Sequence, residues 1–209
     1  MKALRLNAWK SDPVLEEVAR PEPGPGEVLI QIGGAGACHS DLHLMRDFDG
    51  AVLPWAPPFT LGHENAGWVH AVGSGVTGVE LGEPVAVVGA WGCGSCPRCL
   101  AGLETYCDDP EHAPVPGGGG GLGLDGGMAE FMLVPSSRHL LRLPEGLDPV
   151  HAAPLTDAIP RGTTFPGETR PDLNRRRHRR GWAGPSGGSD PAGNHLISDR
   201  GHRPARERP

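Results

Sequence analysis

The 209-residue chain is poor in aromatic side chains, at 5%, and lacks any run of about 18 apolar residues long enough to cross a membrane. Its first residues, MKALRLNAWKSD, also lack the apolar core of a secretory leader. Both absences lead us to expect a cytoplasmic location, where thiols stay reduced and serve metal or catalytic chemistry before disulfides. The cysteines number five, an odd count that points the same way. No internal repeat is present. The sharpest deficit lies between Ile159 and Pro209, which holds no lysine, 5 acidic residues and nine members of the AVILMFWYC set in 51 positions. Such a segment cannot bury enough apolar area to offset its ordering entropy, so an Arg/Gly/Pro-rich, disordered tail is expected for 159–209.

The body differs in sign. Met1 to Ala158 carries 8 Lys/Arg against 20 Asp/Glu, a net −12, whereas Ile159 to Pro209 carries 11 Arg against 5 acids, a net +6. Within the body, short Val/Ile/Leu-rich runs recur between Gly and Pro: EVLIQI (27–32), GWVHAV (67–72), PVAVVG (84–89) and AEFMLV (129–134). They predict a mainly β architecture of several short strands, as in a barrel or sandwich. CHSDLHLMR (38–46) predicts a short helix with Cys38 near its start, and Asp148 to Ala153 begins another. The glycine run 117–121 has neither a strong strand before it nor a helix after it, so a flexible turn is expected rather than a phosphate loop.

Cys93, Cys96, Cys99 and Cys107 stand at the spacing C-x2-C-x2-C-x7-C. Four thiolates so spaced on a loop can close a tetrahedron around Zn²⁺ and leave no position for substrate, which is the signature of a structural site. Four unrelated buried cysteines and an iron–sulfur cluster are the alternatives; the common ferredoxin spacings differ from this one. The remaining thiol, Cys38 in GACHSDLH, is followed 25 residues later by His63 and Glu64 in TLGHENAGWV. One thiolate, one imidazole and one carboxylate are what an open, catalytic zinc site needs.

Taken together, PGPGEVLIQI, GACHSDLH, PPFTLGHENAGWV, the four-cysteine lobe, DGGMAEFMLVP and AAPLTDA closely resemble the N-terminal domain of zinc-dependent medium-chain alcohol dehydrogenases. The resemblance covers 1–158, about three quarters of the chain. It implies a partly open GroES-like β-barrel with a zinc-stapled lobe, and two zinc ions per chain. Cys38, His63 and Asp157 would hold the catalytic zinc, with Glu64 beside it or bound to it, and Cys93, Cys96, Cys99 and Cys107 the structural zinc. Asp157 stands where some members have Cys, an acceptable exchange for zinc. Ser40 and His43 would relay the alcohol proton, Asp41 would orient the loop, and His39 would lie near the cofactor pyrophosphate where many relatives carry Arg. For His39 and Asp41 the alternative is a loop residue satisfied by backbone. Trp55 and Trp91 are candidate walls of an apolar pocket, with core filling as the alternative. The activity implied is oxidation of an alcohol to an aldehyde or ketone with NAD or NADP, on a small-molecule substrate, in a family that usually forms homo-oligomers.

The resemblance stops at Ala158. The Rossmann domain that would bind the nicotinamide cofactor should follow, with a strand, a G-x-G-x-x-G turn and a helix, and no such succession stands after Ala158 in the amino-acid sequence. Arg175 to Pro185, RRRHRRGWAGP, offers a reason. Read from the second base of each codon, with third bases chosen suitably, it spells VVVIGVGGLGQ, a buried strand running into that turn. Residues 159–209 are therefore expected to be an out-of-frame tail, and the chain to be inactive for want of its cofactor domain. The competing reading is a zinc-stabilised module whose RRRHRR segment contacts nucleic acid. The acidic body, and a tail whose only aromatics are Phe165 and Trp182, weigh against it.

Overall fold

The computed structural model describes residues 1–51 and 53–158. The expectations placed on 159–209, disorder and an out-of-frame origin, fall outside the described residues. In chain order the elements are β1 (Lys2–Leu6), β2 (Val14–Glu17), β3 (Val28–Gly36), α1 (His39–Arg46), β4 (Phe59–Thr60), β5 (Glu64–Val72) and β6 (Pro84–Val87). They continue with α2 (Pro97–Leu100), β7 (Gly119–Gly120), β8 (Gly123–Leu124), β9 (Phe131–Val134), β10 (Leu140–Arg142), α3 (Pro149–Ala152) and α4 (Leu155–Ala158).

A five-stranded sheet in the order β10-β6-β5-β3-β9 forms the centre, with every neighbouring pair antiparallel. A second sheet, β2-β1-β4, joins it through a bridge between Ala3 and Ala129, and the Leu4 amide donates to the Met128 carbonyl at 2.8 Å. The outcome is the mainly β, open GroES-like arrangement that the sequence implied. The four expected apolar runs supply β3, β5, β6 and β9, because their side chains alternate between two faces. Val85 and Val87 of β6 enter one core cluster with Val28, Ile30 and Met132, while Ala86 faces another with Ala152 and Ala153. β1, β2, β4 and β10 were not expected; the last two are only two and three residues long, too short for a period to show.

Both expected helices form. Asp148 caps α3, its carboxylate accepting from the Val150 amide at 2.8 Å with Pro149 in the first turn. Leu44 anchors α1 in a third cluster with Leu6, Phe59 and Leu61, all at 1% exposure or less. Burial of each such side chain contributes about 1.5–3 kcal/mol, which holds α1 against β1 and β4.

The glycine run departs from expectation. Gly118 to Gly121 are buried, and β7 pairs with β8. Gly121 has φ 79°, and a Cβ there would lie 2.4 Å from the Gly62 carbonyl oxygen; at Gly123, φ 98°, it would lie 2.6 Å from the Trp55 ring. Close packing under a left-handed backbone, rather than flexibility, is what demands glycine here. The tryptophans fall on the core-filling side. Trp55 packs against Trp9 and Phe59 at centroid distances of 5.9 and 5.6 Å, and Trp91, 3% exposed, stacks on His139 at 5.4 Å.

Candidate metal centres

The cysteine lobe is built from local geometry. Cys96 caps α2 with Pro97 in the first turn, and a 3₁₀ turn over Glu104–Tyr106 returns the chain to Cys107. Ligand atoms of Cys93, Cys96, Cys99 and Cys107 all lie within 4.8 Å of one another. The sulfur pairs Cys93–Cys99 and Cys96–Cys107 are each 3.9 Å apart. With zinc–sulfur bonds of about 2.3 Å a tetrahedron has edges of about 3.8 Å, which those two pairs match. Backbone amides already point at the sulfurs: Cys96 N donates to Cys93 Sγ at 3.3 Å, Cys93 N to Cys107 Sγ at 3.3 Å, and Cys99 N to Cys96 Sγ at 3.4 Å. Ser95 and neighbouring amides hold the Cys93 thiol down at about 6, whereas burial pushes Cys99 up to about 12. Four packed thiols cannot all ionise against one another, and a divalent cation removes that conflict.

Residues outside the cysteines clamp the lobe to the sheet, and the sequence reading missed them. Glu104 Oε2 accepts from the Gly92 amide at 2.8 Å and Oε1 lies 3.2 Å from Arg138 Nη1, while Arg138 Nη2 donates to the Gly92 carbonyl at 2.7 Å. His139, 2% exposed, stands 3.5 Å from Glu104 through Nδ1, and its Nε2 has no hydrogen-bond partner. Burial, aided by the Arg138 charge, drops the His139 pKa to about 3, so the ring is neutral. The one signal for this clamp was the glutamate inside LETYC, three residues before the fourth cysteine.

The second cluster draws on three separate parts of the chain. Cys38 is the N-cap of α1, with φ −98° and ψ 159°, just beyond the end of β3. His63 and Glu64 lead into β5, and Asp157 comes from α4, which packs on β5. One ligand atom from each of Cys38, His63, Glu64 and Asp157 lies within 4.8 Å of the others. Gly36 makes room for the carboxylate, because a Cβ there would sit 2.1 Å from Glu64 Oε2. His63 presents Nε2 to the cluster, 3.0 Å from Ser40 Oγ and 3.7 Å from Asp157 Oδ2. Its other nitrogen, Nδ1, is 3.4 Å from Asp41 Oδ1, and both atoms are buried without a hydrogen-bond partner. Asp41 also accepts from the Cys38 amide at 2.8 Å. Asp41 thus ties the first turn of α1 to the Cys38 amide, and the same carboxylate faces the imidazole, a contact that sequence spacing alone does not reveal.

The electrostatics follow from that packing. Burial opposes the imidazolium of His63, but Asp41 and Cys38 outweigh it and raise its pKa to about 9. Ser40, through its hydroxyl and amide, and then His63 hold the Cys38 thiol below its ordinary range. Burial pushes the Glu64 carboxyl up against the pull of His63, with Asp157 and Asp41 adding to the rise. His63 Nε2, the lowered Cys38 thiol and the carboxylates of Glu64 and Asp157 form a mixed S, N, O donor set suited to zinc. Asp157 is 58% exposed, so one side of the cluster opens to solvent.

His43 lies apart from the four ligands. Its Nδ1 pairs with Asp47 Oδ2, and its ring meets His39 edge-on at 4.5 Å. His39 is exposed at the first turn of α1, and Ser40 meets His63 rather than His43.

Residues 24–145 match the model of the alcohol dehydrogenase GroES-like domain. The chain is 40% identical over 172 residues to D-arabinose 1-dehydrogenase (NADP(+)) of Saccharolobus solfataricus, covering 82% of this chain and 46% of that protein. To an NAD-dependent alcohol dehydrogenase of Sulfurisphaera tokodaii it is 39% identical over 161 residues, covering 75% and 44%. The crystal structure of an alcohol dehydrogenase from Aeropyrum pernix superposes with a TM-score of 0.65 at 38% identity, covering 75% of this chain and 44% of that one. The chain therefore spans less than half the length of the relatives it matches.

Proposed function

The chain belongs to the family of the alcohol dehydrogenase GroES-like domain, and from that premise we propose that residues 1–158 are the zinc-bearing catalytic half of an NAD- or NADP-dependent alcohol dehydrogenase. The observation that carries this reading is the convergence of Cys38, His63, Glu64 and Asp157 within 4.8 Å, with Ser40 Oγ 3.0 Å from His63 Nε2. Those four residues would hold one zinc ion, and Cys93, Cys96, Cys99 and Cys107 a second. Bound there, zinc supplies Lewis-acid chemistry that lowers the pKa of an alcohol hydroxyl.

The chain's own residues do the rest. The Asp41 carboxylate fixes the His63 ring by its Nδ1 side, so that Nε2 is the ligating nitrogen. Ser40 Oγ, 3.0 Å from His63 Nε2, would accept the substrate proton, and His43 on the next turn of α1 would pass it toward solvent. The substrate is a small alcohol or, in reverse, a carbonyl compound. No helix among the described residues is long and apolar enough to cross a membrane.

Hydride transfer needs a nicotinamide bound opposite this cluster. Among the described residues no strand runs through a G-x-G-x-x-G turn into a helix: the chain after 73–78 continues as β6 and the run 118–124 as β8. Little or no turnover is therefore expected of the chain as written, and residues 159–209 are read as an out-of-frame copy of the nucleotide-binding strand and turn. Purified, zinc-loaded chain incubated with alcohols and NAD or NADP tests the first point, and strong NADH or NADPH formation would overturn it. The nucleotide sequence after the Ala158 codon tests the second: a shifted frame without a strand, a glycine turn and a helix would refute it.

A further inference from the structure

We propose that His39 and His43 form a third metal site, on the exposed face of α1, that takes a borderline divalent transition-metal ion such as Ni²⁺, Cu²⁺ or excess Zn²⁺. The pair stands at i and i+4, so both side chains project from one face of the helix. Their ring centroids are 4.5 Å apart with planes at 82°, within the span that one ion with bonds of about 2.1 Å can bridge. Imidazole pairs suit this class of ion better than Mg²⁺ or Ca²⁺, which prefer oxygen.

A second observation points to a ligand role. Asp47, one further turn along at i+8 from His39, engages His43 Nδ1. A carboxylate on one ring nitrogen leaves the other free, which is the arrangement that orients metal-binding histidines. The opposite face of α1 is occupied: Leu44 is 1% exposed and Asp41 4%, and Asp41 serves His63. None of the four clustered ligands Cys38, His63, Glu64 and Asp157 belongs to the pair, so the two sites can fill independently.

The consequence rests on the reading of His43 as the proton exit. An ion held by the pair would take the free lone pair of His43 and block that exit, so excess divalent metal would inhibit proton release without displacing the catalytic ion.

The test is a calorimetric titration of the full, zinc-loaded chain with Ni²⁺. His178, His195 and His202 give a background common to every variant. The wild type should bind one ion that is weakened roughly tenfold or more in His39→Gln and in His43→Gln, and about tenfold in Asp47→Asn. His112→Gln, a change at a histidine whose side chain is 78% exposed and paired with Asp109, should leave the isotherm unchanged. Circular dichroism of each variant separates lost binding from lost fold, and His39→Ala, at an exposed position, serves as the second variant. Wild-type affinity in either His39 variant, or a loss confined to His43→Gln, overturns the site.

Discussion

The two ligand clusters are built in opposite ways. The four sulfurs come from one loop, 93–107, fold on each other through amide–sulfur hydrogen bonds, and lie within 4.8 Å of one another. The Cys38, His63, Glu64 and Asp157 cluster comes from a helix cap, a strand entry and a short helix far along the chain, and one of its members is 58% exposed. The first is local and closed, so on the proposed reading loss of a bound metal would cost structure. The second is assembled by the sheets and open, so loss of a bound metal would cost chemistry while the fold persists.

The most severe test of that contrast is ligand removal in the lobe. Cys99→Ser should lower the midpoint of thermal unfolding by about 10 °C or more, since the ion supplies folding energy that the small lobe cannot replace. Cys38→Ser should shift it by only a degree or two and remove one zinc; an equal fall in both variants would break the distinction.

Acid should act on the lobe side next. His139 is held neutral with a pKa of about 3, below the ordinary 6.5 of an unfolded chain. The unfolded state therefore binds more protons between those values, and stability is lost as pH falls from about 6.5 toward 3, by on the order of 4 kcal/mol at the full extent. Urea titrations of His139→Leu, in which this slope should flatten, check the sign.

On the open side the sharpest variant is Asp41→Asn. It leaves the lobe untouched but removes the charge facing His63, and should weaken zinc at that cluster by roughly 10–100-fold. Zinc must also displace the proton that His63 holds with a pKa of about 9. Affinity of the metal-free cluster should accordingly rise with pH up to about 9 and level off above it, read by competition with a chromogenic chelator. Gly36→Ala, whose Cβ would press on Glu64 Oε2, should cost about 1–3 kcal/mol with partial loss of zinc, measured by unfolding and metal content.

Legibility in the sequence followed the same division. The lobe could be read from cysteine spacing because its ligands are neighbours, and β3, β5, β6 and β9 from their apolar runs because a strand's period is two. The open cluster could not be derived from spacing, since nothing local ties Cys38 to Asp157; only the resemblance joined them, and the fold then placed all four together. Residues that act through other residues stayed hidden. Asp41 was visible as a loop residue but not as the partner of His63, and Arg138 and His139 gave no pattern because they meet Glu104 across 34 residues or more. The glycine run misled in the other direction: a composition that suggests flexibility serves tight packing against Gly62 and Trp55, which no single-chain pattern encodes.

Zinc content per chain tests the two-centre account most directly. Elemental analysis of the dialysed protein should find two zinc ions in the wild type, one in Cys38→Ser with the fold intact, and a destabilised protein in Cys99→Ser. A wild type holding a single zinc that Cys38→Ser leaves in place would contradict it.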